Sequence, residues 1–92
     1  MLICKVKGKL VSTVKNEKLS GFSFVVLQEL MPEPSGDTVQ DKLIVAVDGI
    51  GCGTGNIVMV AQGSSARYAL KGEETPADAV VVGIVDTYTV EN

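Results

Sequence analysis

From position 49 to position 55 every second residue is glycine: Gly49, Gly51, Gly53 and Gly55. Val45 and Val47 lead into this stretch through Asp48, and Ile57 to Ala61 follow it as a second apolar run. Gly63, Ser64, Ser65, Ala66 and Arg67 come next. Glycine allows sharp bends, positive φ and close approach of backbone to another surface, but it loses more conformational freedom on folding than any other residue. Four glycines in seven residues therefore predict a loop of special shape, held in place by the strands on either side.

Gly51-Cys52-Gly53-Thr54-Gly55 looks like part of a phosphate cradle. Such a cradle needs a strand before it and a helix after it, because the helix N-terminus binds the pyrophosphate. Ile57 to Gln62 is short, apolar and rich in β-branched residues, and reads as a strand. No Lys-Ser/Thr pair follows the glycines, so the P-loop pattern fails as well. A tight structural loop at a strand junction is the better reading.

Ninety-two residues make one domain, read as 1–92. The chain is 46% hydrophobic with two Phe, two Tyr and no Trp, and its apolar content is mostly Val, Ile, Leu and Ala. That composition favours β structure. A chain this small and this apolar leaves apolar surface exposed as a monomer, which predicts an oligomer.

The net charge is −3. Lys5, Lys7, Lys9, Lys15 and Lys18 are the only basic cluster, diluted by Glu17 and without aromatic partners for stacking bases. A solvated strand face explains it, and no nucleic-acid partner is expected. Cys4 and Cys52 have no metal-ligand spacing, and there is no histidine to complete a zinc site. They read as small apolar residues in a reducing compartment, with no metal and no cofactor. Lysines at every second position from Lys5 break any signal-peptide core. No apolar run approaches the ~20 residues needed to span a membrane as a helix. The expectation is a cytoplasmic protein without a membrane partner.

In chain order, residues 2–11 alternate, with Leu2, Cys4 and Val6 on one side and Ile3, Lys5 and Lys7 on the other, and Gly8 marks a bend or bulge. Residues 12–20 form a polar connection. Residues 21–30 are a strand apolar on both faces, with Phe22, Phe24 and Val26 on one and Val25 and Leu27 on the other. Pro32, Pro34 and Gly36 make residues 31–40 an irregular loop. Further strands are expected at 41–47, 57–62 and 79–90, the last being the longest, with a bulge or close backbone approach at Gly83. Single helical turns are expected near Ser64–Arg67 and Pro76–Ala79. Five strands without a long helix predict an all-β, OB-like closed barrel, since closure removes the edges along which sheets aggregate.

A catalytic set is hard to assemble. Without histidine there is no Ser-His-Asp or Cys-His pair. Asp48, Asp78 and Asp86 each stand at the edge of a strand or turn, and any two that met in the fold would form an acid/base pair. Backbone hydrogen bonds or a pairing with Arg67, the only arginine, are the simpler roles.

The stretch from Val47 to Arg67, together with Pro76-Ala77-Asp78-Ala79 running into a valine-rich strand with Gly83, Ile84 and Asp86, resembles the bacterial microcompartment vertex proteins. These are pentamer-forming shell proteins of the ethanolamine-utilisation and carboxysome type. Leu10-Val11-Ser12-Thr13 and Lys18-Leu19-Ser20-Gly21 look like the family too. Cys52 stands where alanine is usual, and Phe22 and Phe24 replace commoner aliphatic or basic residues. The resemblance implies a non-enzymatic shell protein that forms a cyclic homopentamer. The pentamer caps the vertices of a polyhedral shell and adjoins hexameric shell proteins. By the same resemblance, Gly51, Cys52, Gly53, Thr54 and Gly55 would lie at a subunit contact or the central axis. Asp48, Ser64, Ser65 and Arg67 would fix the loop and the neighbouring subunit, and Asp78 and Asp86 would anchor the last strand or its neighbour. The alternatives are an OB-fold module that binds nucleic acid, or one that binds a small ligand at the glycine loop.

Overall fold

Strict alternation of apolar and charged residues makes the first strand. In β1 (Leu2–Leu10), Cys4 and Val6 are fully buried while Lys5 and Lys7 face solvent. The computed structural model describes residues 1–11, 21–36, 38–63, 66 and 78–91. Within them lie four more strands: β2 (Ser23–Met31), β3 (Thr38–Asp48), β4 (Ile57–Gln62) and β5 (Ala79–Ile84). They close into a barrel in the order β1-β2-β3-β5-β4. Every pairing is antiparallel except β3 with β5. This is the five-stranded, OB-like arrangement that the count of short strands without a long helix predicts.

The first two strands shift by only one or two residues at their ends from the predicted 2–11 and 21–30, and the third and fifth differ more. The last strand ends at Ile84 rather than Val90, and at six residues it is among the shortest. Its ladder on β4 runs out at Val58–Ile84, followed only by the Val85 N–H to Ile57 carbonyl bond at 2.8 Å. The third strand is the longest at eleven residues and starts at Thr38, because β2 continues to Met31 and pairs with it there. The predicted loop thus shrinks to the turn around Pro32, Pro34 and Gly36. Both expected irregularities are present. The β1–β2 register shifts between Val6 and Gly8, leaving Lys7 as the extra residue. The β4–β5 register shifts next to Gly83, leaving Val82 as the extra residue. Of the two predicted single turns, only Ala66, Asp78 and Ala79 fall within the described residues. The Ala66 N–H donates to the Gly63 carbonyl at 3.1 Å, and Ala79 already belongs to β5.

The core has two layers. Inside the barrel, Cys4, Val6, Val25, Leu27, Val58, Val60 and Val81 are almost wholly shielded from water. Burying each Val or Leu contributes roughly 1.5–3 kcal/mol. Neighbouring residues on a strand point to opposite faces, so Val47, Ala61 and Val80 belong to the outside of the wall. They are nonetheless buried, under Ala66 and beside Phe22, Phe24 and Val82. Phe24, Val47, Val80 and Ala61 are successive cross-strand partners over four strands. The two phenylalanines therefore pack on an outer apolar row, which explains why β2 is apolar on both faces.

Candidate functional site

The chain leaves β3 at Asp48 and must cross the barrel end to reach β4, because β5 lies between those two strands. The crossing is the glycine loop, and Asp48 organises its first half. Its Oδ1 accepts the N–H groups of Ile50 at 3.1 Å, Gly51 at 2.8 Å and Cys52 at 3.3 Å, and its Oδ2 accepts Cys52 again at 3.0 Å. Gly51 sits at φ 83°, a left-handed conformation that lets three successive N–H groups converge on one carboxylate. Burial pushes the Asp48 carboxyl towards higher pKa, but the backbone bonds from Ile50, Gly51 and Cys52 together with the Cys52 thiol outweigh it, and the net shift is downward.

Pulled in by this lock, the Cys52 side chain inserts into the barrel interior beside Cys4, Val6 and Val81, and it is 2% exposed. Cys52 thus plugs the barrel end as a small apolar residue. Burial raises its thiol pKa, and the neighbouring Asp48 charge raises it further. Both cysteines are free.

The second half of the loop is a tight turn. The Asn56 N–H donates to the Gly53 carbonyl at 3.1 Å, and the Asn56 side-chain Oδ1 accepts the Gly53 N–H at 2.7 Å. Gly55, at φ 93°, occupies the third position, where a type II turn requires positive φ. The Gly55 N–H then donates to the Val6 carbonyl at 2.8 Å, and the Val6 N–H donates to the Asn56 carbonyl at 2.9 Å. The loop is stitched to β1. Asn56 and Val6 do not stand out in the sequence, although an Asn next to glycine in a turn is a known local acceptor of backbone N–H groups.

This geometry leaves little for a phosphate. The N–H groups of Ile50, Gly51, Cys52, Gly53, Gly55 and Asn56 are all spent inside the protein, and a strand, not a helix, follows. The three aspartates also stand apart. Asp78 and Asp86 flank β5 at opposite ends, and Asp48 is in register with Val81 between them. Asp78 and Asp86 are exposed, and the Asp78 carbonyl accepts the Gly63 N–H at 3.0 Å, closing the segment between β4 and β5. No acid/base pair forms among these three. Among the described residues no group of three or more His, Cys, Asp or Glu is placed to hold a metal ion. Gly53, Thr54 and Gly55 are exposed at the loop tip, while Ser64, Ser65 and Arg67 lie outside the described residues.

A glycine loop locked by a strand-end carboxylate over a small closed barrel defines a β-barrel module whose conspicuous feature is architectural. A family model described as "Ethanolamine utilisation protein EutN/carboxysome" matches residues 1–86, and the chain belongs to that family. It is 45% identical over 94 residues to the bacterial microcompartment shell vertex protein GrpN of Rhodospirillum rubrum, covering all of both chains. It is 41% identical over 92 residues to the carboxysome shell vertex protein CcmL of Synechococcus elongatus, covering all of this chain and 90% of that one. Among solved structures, the GrpN pentameric microcompartment shell protein from Rhodospirillum rubrum aligns with a TM-score of 0.83 at 42% identity, again over 100% of both chains.

Proposed function

We propose that this chain is a structural shell protein of a bacterial microcompartment and not an enzyme. It assembles as a cyclic homopentamer that caps the vertices of a polyhedral shell in the cytoplasm, and it adjoins hexameric shell proteins there. One observation carries the reading: the end-to-end likeness, in sequence and fold, to a pentameric shell protein. The physical features agree with it. A five-fold ring is a heterologous assembly in which two different faces of each copy must match, and a small apolar barrel has the surface for that. Neither nucleic acid nor a membrane is a partner in this reading, in keeping with the net charge of −3.

Within the pentamer, Gly51, Cys52, Gly53, Thr54 and Gly55 lie near a subunit contact or the central axis. Asp48, Ser64, Ser65 and Arg67 support that contact, and Asp78 and Asp86 hold the ends of β5 against the rest. The rigid donor fork of Arg67 suits carbonyls and carboxylates at an interface, and Arg67→Ala weakens the ring. Native mass spectrometry tests the whole reading. A species of five times the 9.6 kDa chain mass supports it, and a monomer or dimer at micromolar concentration overturns it.

A further inference from the structure

Asp48-Gly49 is the one Asp-Gly step in the chain; no asparagine precedes a glycine, and the other aspartates precede Thr, Lys or Ala. This dipeptide has a chemistry of its own. The amide nitrogen that follows an aspartate attacks the side-chain carbon Cγ, and a five-membered succinimide forms as water leaves. Water then reopens the ring on either side. The products are aspartate or isoaspartate, in which the main chain runs through the side-chain carbons. Glycine favours the attack, because it has no Cβ to shield its nitrogen and the widest choice of φ and ψ.

The fold stands in the way of this reaction. The two Asp48 oxygens accept the N–H groups of Ile50, Gly51 and Cys52 at 2.8 to 3.3 Å. A succinimide keeps only one of the two oxygens, so ring closure cannot retain that set of bonds. Although burial pushes the other way, the same donors hold the carboxyl below its ordinary pKa, whereas an oxygen leaves as water only from the protonated acid. Asp48 is buried at the end of β3, while Gly49 beside it is exposed. We propose that Asp48-Gly49 is a latent isoaspartate site, closed while the carboxylate is locked onto the loop and open whenever the barrel end opens. The modification is structural in its effect. Isoaspartate adds one methylene to the main chain between β3 and the loop, and it carries its free carboxylate directly on Cα. That shorter arm cannot gather the same three N–H groups, so a chain modified while open does not regain the Cys52 plug.

The test ages the whole protein at pH 7 and constant temperature and follows isoaspartate by chromatographic peptide mapping, in which the modified peptide elutes apart at unchanged mass. The samples are native wild type, wild type unfolded in guanidinium, and native Gly51→Ala, which strains the lock at φ 83°. Native wild type in urea below its unfolding transition loosens the barrel end without a substitution, and far-UV circular dichroism confirms that Gly51→Ala is folded. The proposal expects isoaspartate in the peptide that carries positions 48 and 49. It expects conversion about tenfold or more faster in the unfolded chain than in the native one, because the native chain must first give up the lock. It also expects a native rate raised severalfold by Gly51→Ala and by urea. Equal rates in native and unfolded wild type overturn the proposal, since the lock then protects nothing. An unfolded chain without isoaspartate at 48 overturns it too, as does a native rate moved by neither Gly51→Ala nor urea.

Discussion

The backbone N–H of Cys52 donates to Oδ2 of Asp48 at 3.0 Å, so the residue that plugs the barrel is held by the residue that ends β3. Asp48 is itself only 7% exposed. Removing its carboxylate leaves the N–H groups of Ile50, Gly51 and Cys52 without acceptors near the barrel end. An unsatisfied buried donor costs about 1–3 kcal/mol, so Asp48→Ala destabilises the fold by about 2–4 kcal/mol once partial access to water is allowed for. Asp48→Asn keeps one oxygen for the same donors and costs about half as much. Urea midpoints at pH 7 and fixed protein concentration give both values. An Asp48→Ala midpoint equal to wild type would show that the lock contributes nothing.

The same carboxylate makes stability depend on pH. Its pKa in the folded protein lies below the ordinary 3.8, so near that pH the unfolded chain binds more protons than the folded one. The stabilisation from Asp48 is complete above about pH 5 and is lost as pH falls below 3.8 through the lowered native value. The stability gap between wild type and Asp48→Asn should be flat from pH 5 to 8 and should close under acid. A gap that widens on acidification contradicts the assignment.

The loop glycines are not equivalent. Gly51 and Gly55 sit at φ 83° and 93°, where a side chain costs about 1–2 kcal/mol. Gly53 is outside that region, and a Cβ there would meet only Oδ1 of Asn56 at an ordinary 3.6 Å. Gly51→Ala and Gly55→Ala should therefore each lower Tm by about 4–16 °C, taking 4–8 °C per kcal/mol for a domain of this size. Gly53→Ala should leave Tm nearly unchanged, since it also restricts the unfolded chain. Equal losses at all three positions would refute the distinction.

Much of this was legible in the sequence, and the rest was hidden for a physical reason. The alternation of Cys4, Lys5, Val6 and Lys7 specifies β1 by itself, and Ile57–Gln62 is read to the residue. Residues 85–90 have comparable strand propensity, yet no strand forms because β4 has no further backbone to pair with them. Thr38 to Gln40 join a strand for the opposite reason, since Leu30 and Met31 are there to receive them. Pairing is a property of two segments, and a single run of residues reports only half of it. In the site, the clustered glycines and Asp48 were visible as a group. Asp48 takes the backbone hydrogen bonds of its own successors, a local role the sequence already suggests, whereas the anchoring of Gly55 and Asn56 by Val6 depends on the barrel bringing β1 beneath the loop.

Gly83 is small because Met59 lies across it. A Cβ built at Gly83 would stand 3.0 Å from the Met59 Cε, and the backbone there is not in the left-handed region. Gly83→Ala therefore forces the flexible Met59 side chain aside, partly offset by a stiffer unfolded chain. The single change should cost less than about 1 kcal/mol, and the two sites should couple by about 0.5–1 kcal/mol, the low end of the range for residues in contact. In a Met59→Ala background, Gly83→Ala becomes neutral or stabilising. A double-mutant cycle of urea midpoints checks this, and strict additivity would mean that the two residues do not share that space.

Both thiols are built to be inert. Burial, with a smaller push from Glu29, raises Cys4 to about 11 from the usual 9.0, and burial with Asp48 nearby raises Cys52 as well. Only the thiolate attacks a disulfide reagent. At pH 8 the shift at Cys4 alone cuts the thiolate fraction by roughly 100-fold, and exposures of 0% for Cys4 and 2% for Cys52 restrict access further. An aromatic disulfide reagent added to the folded protein at pH 8 should react at least 100 times more slowly than with the guanidinium-unfolded chain. Unfolding should then release two equivalents. Cys4 should react only with global opening of the barrel, whereas Cys52 can also react through local opening of the barrel end, so Asp48→Ala, which frees the Cys52 plug, should speed the reaction at that cysteine first. A native protein that gives up one thiol within seconds would mean that Cys52 does not occupy the barrel end.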